Sequence, residues 1–184
     1  MIGNNIMQIE DTFIKDLKII HLNKFGDERG SFIKTFNFDF YKESELMTEL
    51  KESYYSISSK NVIRGMHFQL PPNEHVKIVY LNRGRILDVV LDIRKQSDTF
   101  GKFFATELDV DNPVLIYIPI GCAHGFKSLE EGSMVTYIQS SCYHPESDTG
   151  IRFDSFGMDW GCEKVIISNR DKSFMPFNRF QSPF

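Results

Sequence analysis

Between Tyr54 and Tyr143 the chain repeats one pattern: a short β-favouring run, a turn, then another short run. Residues 76–82, 85–94, 102–108, 113–118 and 134–140 read as strands. Asn82-Arg83-Gly84, Asp98-Thr99-Phe100-Gly101 and Pro119-Ile120-Gly121 read as the turns between them, because Gly, Pro, Asn and Asp supply the backbone angles that turns need. That spacing is typical of a sandwich or barrel. The 17 Phe and 7 Tyr suit pleated, half-buried surfaces, so the chain is expected to be all-β.

The flanks add less regular pieces. Residues 12–22 read as two short strands around one turn. Phe25-Gly26-Asp27-Glu28-Arg29-Gly30 is a turn by composition, and it feeds a strand over Ser31–Phe36 with Arg29 at its entrance. Residues 39–51 predict the one clear helix, with Asp39 as its N-cap and Phe40, Leu46, Met47 and Leu50 on the face that would lid a sheet. From Asp154 onward a tail carries Trp160, a short Val165–Ser168 strand, Asp171 and an end rich in Phe and Pro, which must dock somewhere to keep its aromatics dry. No repeat or linker interrupts the chain before that tail, and 184 residues can bury about 70% of their unfolded surface in one core, so residues 1–184 are expected to form one domain.

Charge and cysteine usage exclude several function classes. A net charge of −4 provides no basic field for nucleic acid or for an anionic membrane, so an anionic ligand must be caught by locally placed Arg, Lys and His. Cys122, Cys142 and Cys162 are odd in number and too widely spaced for a C-x-x-C pair, which suits a reduced, cytoplasmic compartment. Met1 to Asp11 has no basic segment followed by an apolar one, and no run approaches 18 apolar residues; neither a signal peptide nor a membrane span is expected.

The chemistry concentrates in Asn61-Val62-Ile63-Arg64-Gly65-Met66-His67-Phe68-Gln69, where a cation and an imidazole interrupt an apolar run. Taken alone, His67 reads as readily as a buried structural histidine as a catalytic one. Pro119-x-Gly121-x-x-His124 is similar to the second motif of the cupin jelly rolls, and Arg64–Gln69 sits where the first motif would be. A metal-bearing cupin would place two histidines one residue apart on that first motif, together with a carboxylate, so that all point inward. Here His67-Phe68-Gln69 lacks the second imidazole, and the possible substitutes Glu74 and His75 lie in the following loop.

A fuller likeness extends over nearly the whole chain. Phe25–Gly30, Asn61–Gln69, Leu87–Arg94 with Thr99–Gly101, Ile118–Phe126, Tyr143–Glu146, Gly150–Asp154 and Ile167–Asp171 resemble, in order, the blocks of the nucleotide-sugar 3,5-epimerases that act on dTDP-4-dehydrorhamnose. The resemblance implies an antiparallel jelly roll with one or two short peripheral helices, and an isomerase that uses neither metal nor organic cofactor. It also implies the roles. His67 matches the base and Asp171 its carboxylate partner; Tyr137 matches the acid on the opposite face of the sugar; Lys77 matches the ammonium beside the 4-keto oxygen. Arg29, Arg64 and His124 match the cations that hold the diphosphate, Tyr143 an aromatic lying against the ligand, and Gln69 falls among the substrate-binding positions. Asp88 is either a second partner of a catalytic group or a satisfied buried carboxylate.

The match breaks in one place. A Gln-Asp-Asn run and a glutamate that help such enzymes to read thymine are replaced by Glu52-Ser53-Tyr54 and, near the glutamate, Lys34. Unmatched polar groups at a buried contact cost roughly 1–3 kcal/mol each, so CDP- and GDP-linked 4-keto sugars, heptoses included, stay open, as does inversion at one carbon only. A metal-dependent cupin enzyme and a catalytically silent sugar-binding jelly roll are the competing classes. A homodimer is expected from the resemblance, and from a Phe-rich segment (Phe25, Phe32, Phe36, Phe38, Phe40) that one helix does not obviously cover.

Overall fold

The structure is a computed structural model that describes residues 7–161 and 163–184. The first six residues of the amino-terminal segment and Cys162 lie outside the described residues. Two antiparallel sheets carry the fold. One is ordered β1 (Gln8–Asp11), β2 (Lys18–His21), β10 (Val114–Ile118), β7 (Lys77–Arg83), β12 (Ser133–Gln139), β5 (Glu52–Ser58). The other is ordered β13 (Asp148–Gly150), β6 (Ile63–Gln69), β11 (Cys122–Ser128), β8 (Arg85–Asp92), β9 (Phe103–Asp109). A detached hairpin of β3 (Lys24–Asp27) and β4 (Gly30–Ile33) joins neither. The expected all-β antiparallel jelly roll is what forms, and the three turns read from the sequence fall between β7 and β8, β8 and β9, and β10 and β11.

Alternation decides which side chains meet. Along β12 the residues Ser133, Val135, Tyr137 and Gln139 are buried while the three between them are half-buried, the period of two that a pleated strand imposes. The middle of the row is apolar and its far end polar. Val135 and Tyr137 pack with Val79, Ile86, Val90, Ile116 and Phe126 in the core between the sheets. Past that core Gln139 and its register partner Lys77 continue the same inward row, so the space at this end is lined by polar groups.

The outer faces are covered differently. Over the second sheet lies the carboxy-terminal tail, whose Phe153, Phe156, Trp160, Phe177, Phe180 and Phe184 pack on Val89, Leu91, Ala123 and Met66. Trp160 is buried and the phenylalanines partly so, and the apolar area they remove from water holds a segment with little regular structure. Over the first sheet lies the segment around α1 (Phe38–Glu43), and here three expectations change. The helix stops at Glu43 instead of residue 51, because Glu45 adopts φ 57° and the chain must straighten to enter β5; Leu46, Met47 and Leu50 still reach the core as coil. Its cap is Asn37, not Asp39: Asn37 Oδ1 accepts from the Phe40 amide at 3.0 Å. Residues 12–22 hold one strand, since the other lies earlier at β1 and residues 13–16 turn. In the tail, the strand expected over Val165–Ser168 shrinks to a single parallel bridge between Val62 and Ile166, after which Ser168 caps the short helix α2 (Asn169–Lys172).

Candidate active site

Arg64 and His67 are three residues apart, so a regular strand would point them to opposite faces of the sheet. The register shows why it does not. His124 pairs with His67 and Phe126 with Arg64, leaving one residue of β11, Gly125, opposite two of β6, Gly65 and Met66. That bulge restores parity, and both Arg64 and His67 line the same cavity of about 390 Å³ between the sheets. Glycine is required at the contact: a Cβ on Gly65 would lie 2.5 Å from the Gly125 Cα, and one on Gly125 would lie 2.8 Å from the Arg64 carbonyl oxygen.

His67 is held from behind by the tail. Its Nε2 lies 3.0 Å from Asp171 Oδ1, and Asp171 Oδ2 accepts from the Gly65 amide at 3.1 Å. Asp171 itself is placed by α2, where its amide donates to the capping Ser168 Oγ at 3.0 Å. Burial pushes the Asp171 carboxyl up, but hydrogen bonds from His67, Gly65 and Ser168 outweigh it and hold the group below the usual carboxylate range. The carboxylate therefore stays ionised and accepts the proton on Nε2, which leaves Nδ1 as the imidazole's free lone pair. Phe174 packs edge-on to the imidazole at 5.7 Å.

The opposite wall belongs to the other sheet. Tyr137 is buried, its hydroxyl 3.1 Å from Ser56 Oγ on β5, and burial raises its phenol well above the ordinary tyrosine value against the opposing pull of Ser56. A phenol so shifted stays protonated at neutral pH. Beside it Lys77 is buried at the start of β7, and burial lowers its ammonium to about 8 even though Asp148 and Asp88 pull the other way.

The remaining sequence candidates divide. Arg64, Gln69, His124 and Tyr143 line the cavity with His67, Lys77 and Tyr137, while Asp171 stands behind His67. Arg64 is steadied by Ser58 Oγ at 3.0 Å and the Ile57 carbonyl at 3.2 Å. His124 gives its Nε2 to Asp88 at 2.7 Å, which makes Asp88 a satisfied carboxylate and leaves Nδ1 for a ligand; burial lowers the imidazole's pKa, opposed by Asp88. Gln69 is tied inward, its Nε2 donating to the Asn73 carbonyl at 2.8 Å and its Oε1 accepting from the His144 amide at 2.7 Å. Arg29 is the exception. It sits on the β3–β4 hairpin outside the cavity, its side chain 86% exposed and paired with Asp27 at 2.5 Å.

Sequence reasoning missed two charged groups that line the cavity, Asp148 and Arg170, paired at 2.5 Å. Arg170 stood next to Asp171 in a quoted block, so adjacency was its signal; Asp148 had none, since its partner lies 22 residues away. His75, weighed above as a metal ligand, lines the cavity as a neutral ring: burial, then the Lys77 charge, lower it to about 3. Among the described residues no three His, Cys, Asp or Glu side chains gather as a metal site.

Fold and cavity together define a cupin-like jelly-roll epimerase, an isomerase class acting on nucleotide sugars. The family model described as dTDP-4-dehydrorhamnose 3,5-epimerase matches residues 11–179, and the chain belongs to that family. The dTDP-4-dehydrorhamnose 3,5-epimerase of Methanothermobacter thermautotrophicus is 39% identical over 163 residues, covering 86% of this chain and 88% of that one. The enzyme of Escherichia coli is 36% identical, covering 90% and 92%. A crystal structure of the Legionella pneumophila 3,5-epimerase in complex with dTDP-4-keto-L-rhamnose superposes with a TM-score of 0.90 at 35% identity, covering 95% of each chain.

Proposed function

We propose that this chain, as a single cytoplasmic domain acting in a homodimer, inverts carbon 3, carbon 5 or both of a nucleotide-diphosphate-linked 4-keto-6-deoxy sugar, with no metal or organic cofactor. The keto group acidifies the hydrogens on both neighbouring carbons. His67 Nδ1 removes one as a proton, and the imidazolium that forms is stabilised by Asp171. Charge then develops on the 4-keto oxygen, where the Lys77 ammonium meets it. Tyr137 returns a proton from the opposite face, and the configuration inverts. One observation carries the reading: a carboxylate-held imidazole on one sheet and a protonated phenol on the other line one cavity together with a buried ammonium.

Arg64 is assigned to the diphosphate, joined by His124 in the imidazolium form that Asp88 favours, whose Nδ1–H then donates, and Tyr143, 56% exposed at the rim, to the nucleotide; Gln69 supports the rim from below. Arg29 joins them from a second copy. Its hairpin stands apart with Phe32 59% exposed, while β5 is a sheet edge showing Tyr55 and Ile57, 62% and 59% exposed. An unpaired edge beside apolar side chains is where the partner's hairpin would complete sheet and site together. No helix among the described residues is long and apolar enough to cross a membrane.

The test is incubation in D₂O, after exhaustive chelation, with dTDP-, CDP- and GDP-linked 4-keto-6-deoxy sugars. Deuterium at carbon 3 or 5 with inverted configuration is the expected result for at least one nucleotide. Its absence from all three, or its return only when a divalent ion is added back, sinks the reading.

A further inference from the structure

Tyr137 is gripped by two side chains that the acid–base assignment leaves unexplained. β5 and β12 pair so that Tyr54 stands directly opposite Tyr137, and the two rings stack at 4.8 Å with 20° between their planes. The Tyr54 hydroxyl is bonded to Gln139 Nε2 at 2.7 Å, the next inward residue of β12, so this ring is fixed at its far end as well. Ser56, the next inward residue of β5, is bonded to the Tyr137 hydroxyl at 3.1 Å. Successive inward positions of one strand therefore hold the face and the tip of the phenol.

We propose that Tyr54 is a positioning residue that, with Ser56, keeps the Tyr137 hydroxyl aimed at one side of the sugar ring and thereby sets how often the enolate is reprotonated with inversion. The proposal rests on the roles assigned above to His67 and Tyr137. An enolate in this cavity has two fates. The His67 imidazolium can return a proton to the face it came from, restoring the starting configuration, or Tyr137 can protonate the opposite face. Only the second fate depends on where the phenol points. Rotation about the Tyr137 side chain would carry its hydroxyl away from Ser56, and the Tyr54 ring occupies the space that the rotation sweeps through. Tyr54 also departs from the family's Asn, and the stack supplies a reason other than base recognition, because one ring face and the hydroxyl are already engaged inside the protein.

Tyr54→Leu, Tyr54→Phe and Ser56→Ala are compared with the unaltered protein in D₂O, scoring inversion and exchange with retained configuration at each carbon. Tyr54→Leu is expected to lower the ratio of inversion to retained exchange about tenfold or more, since small misplacements of a catalytic group cost rates of that order. Total exchange should stay within roughly threefold, a contrast that a general structural defect would not produce. Tyr54→Phe keeps the ring and should restore the ratio, and Ser56→Ala should lower it in the same sense as Tyr54→Leu. Equal losses of inversion and exchange, or a rise in KM alone as a nucleotide contact would give, overturn the proposal. A substrate-free arm separates it from the reaction itself. In crystals of Tyr54→Leu the Tyr137 hydroxyl should leave Ser56; if it stays within hydrogen-bond distance the clamp is wrong, whatever sugar is turned over. Absence of all exchange by the unaltered protein would sink the reaction instead, and the crystal would still decide the clamp.

Discussion

On the five-stranded sheet His67 is held by a carboxylate that arrives 104 residues later in the chain, whereas on the six-stranded sheet Tyr137 is held by Ser56 and Tyr54 from the adjacent strand. The first wall is ionic and non-local. The second is neutral and follows from strand register alone. The difference suits the two proposed tasks: a base that becomes an imidazolium needs a fixed negative partner to hold the positive charge, while an acid must stay protonated until used, which burial achieves against the opposing pull of Ser56.

Separating the walls gives the largest effects. His67→Ala is expected to abolish both inversion and solvent exchange, because no enolate forms without proton removal. Tyr137→Phe leaves the ionic wall intact, so exchange with retained configuration should survive while inversion falls by roughly 10²- to 10⁴-fold. Mass and NMR analysis of products formed in D₂O reads both. If Tyr137→Phe inverts as fast as the unaltered protein, the second wall is not the acid, and Tyr143 becomes the candidate.

The same contrast explains what the sequence could show. β7 to β10 and β12 were legible because alternation and turn glycines are local signals, whereas Lys77 and Tyr137 came from family likeness, and the inward parity they share with Gln139 emerges only once the strands are placed. His67 and Arg64 were legible as residue types but not as neighbours, because their shared face depends on a bulge that only the register with Gly125 reveals. The Asp148–Arg170 pair was invisible, being a contact between β13 and α2, and the helix over 39–51 was overread because Leu46, Met47 and Leu50 bury equally well from a coil. Family likeness, not spacing, located Asp171.

Lys77 stands on the same sheet as Tyr137 but should affect both fates of the enolate equally. Lys77→Met is expected to depress exchange and inversion together by roughly 10²- to 10³-fold, since both pass through the same enolate. In the unaltered protein the protonated ammonium is the working form, so kcat/KM should fall as pH rises through about 8. The stability sign is opposite. The folded pKa lies below the ordinary lysine value of 10.5, so between about 8 and 10.5 the unfolded chain binds more protons, and stability gains with rising pH across that window. Denaturant titrations should show this gain in the unaltered protein and not in Lys77→Met; equal pH slopes in the two would mean that the ammonium is not held at a lowered pKa.

The smallest effect tests whether the comparison stops at one chain. Arg29 lies on a hairpin outside its own cavity, so Arg29→Ala should weaken nucleotide-sugar binding by roughly tenfold with kcat little changed, the low end for a charge-assisted hydrogen bond. Co-expressing Arg29→Ala with His67→Ala under two affinity tags then isolates mixed dimers. If each hairpin serves the partner's cavity, the Arg29→Ala subunit contributes an intact His67 and receives an intact Arg29 from the other subunit, so half the sites regain the unaltered KM. If each hairpin serves its own cavity, the only site with a base still lacks its arginine, and the KM stays high. A monomer in sedimentation at micromolar concentration would rule out the site completed by a partner's hairpin.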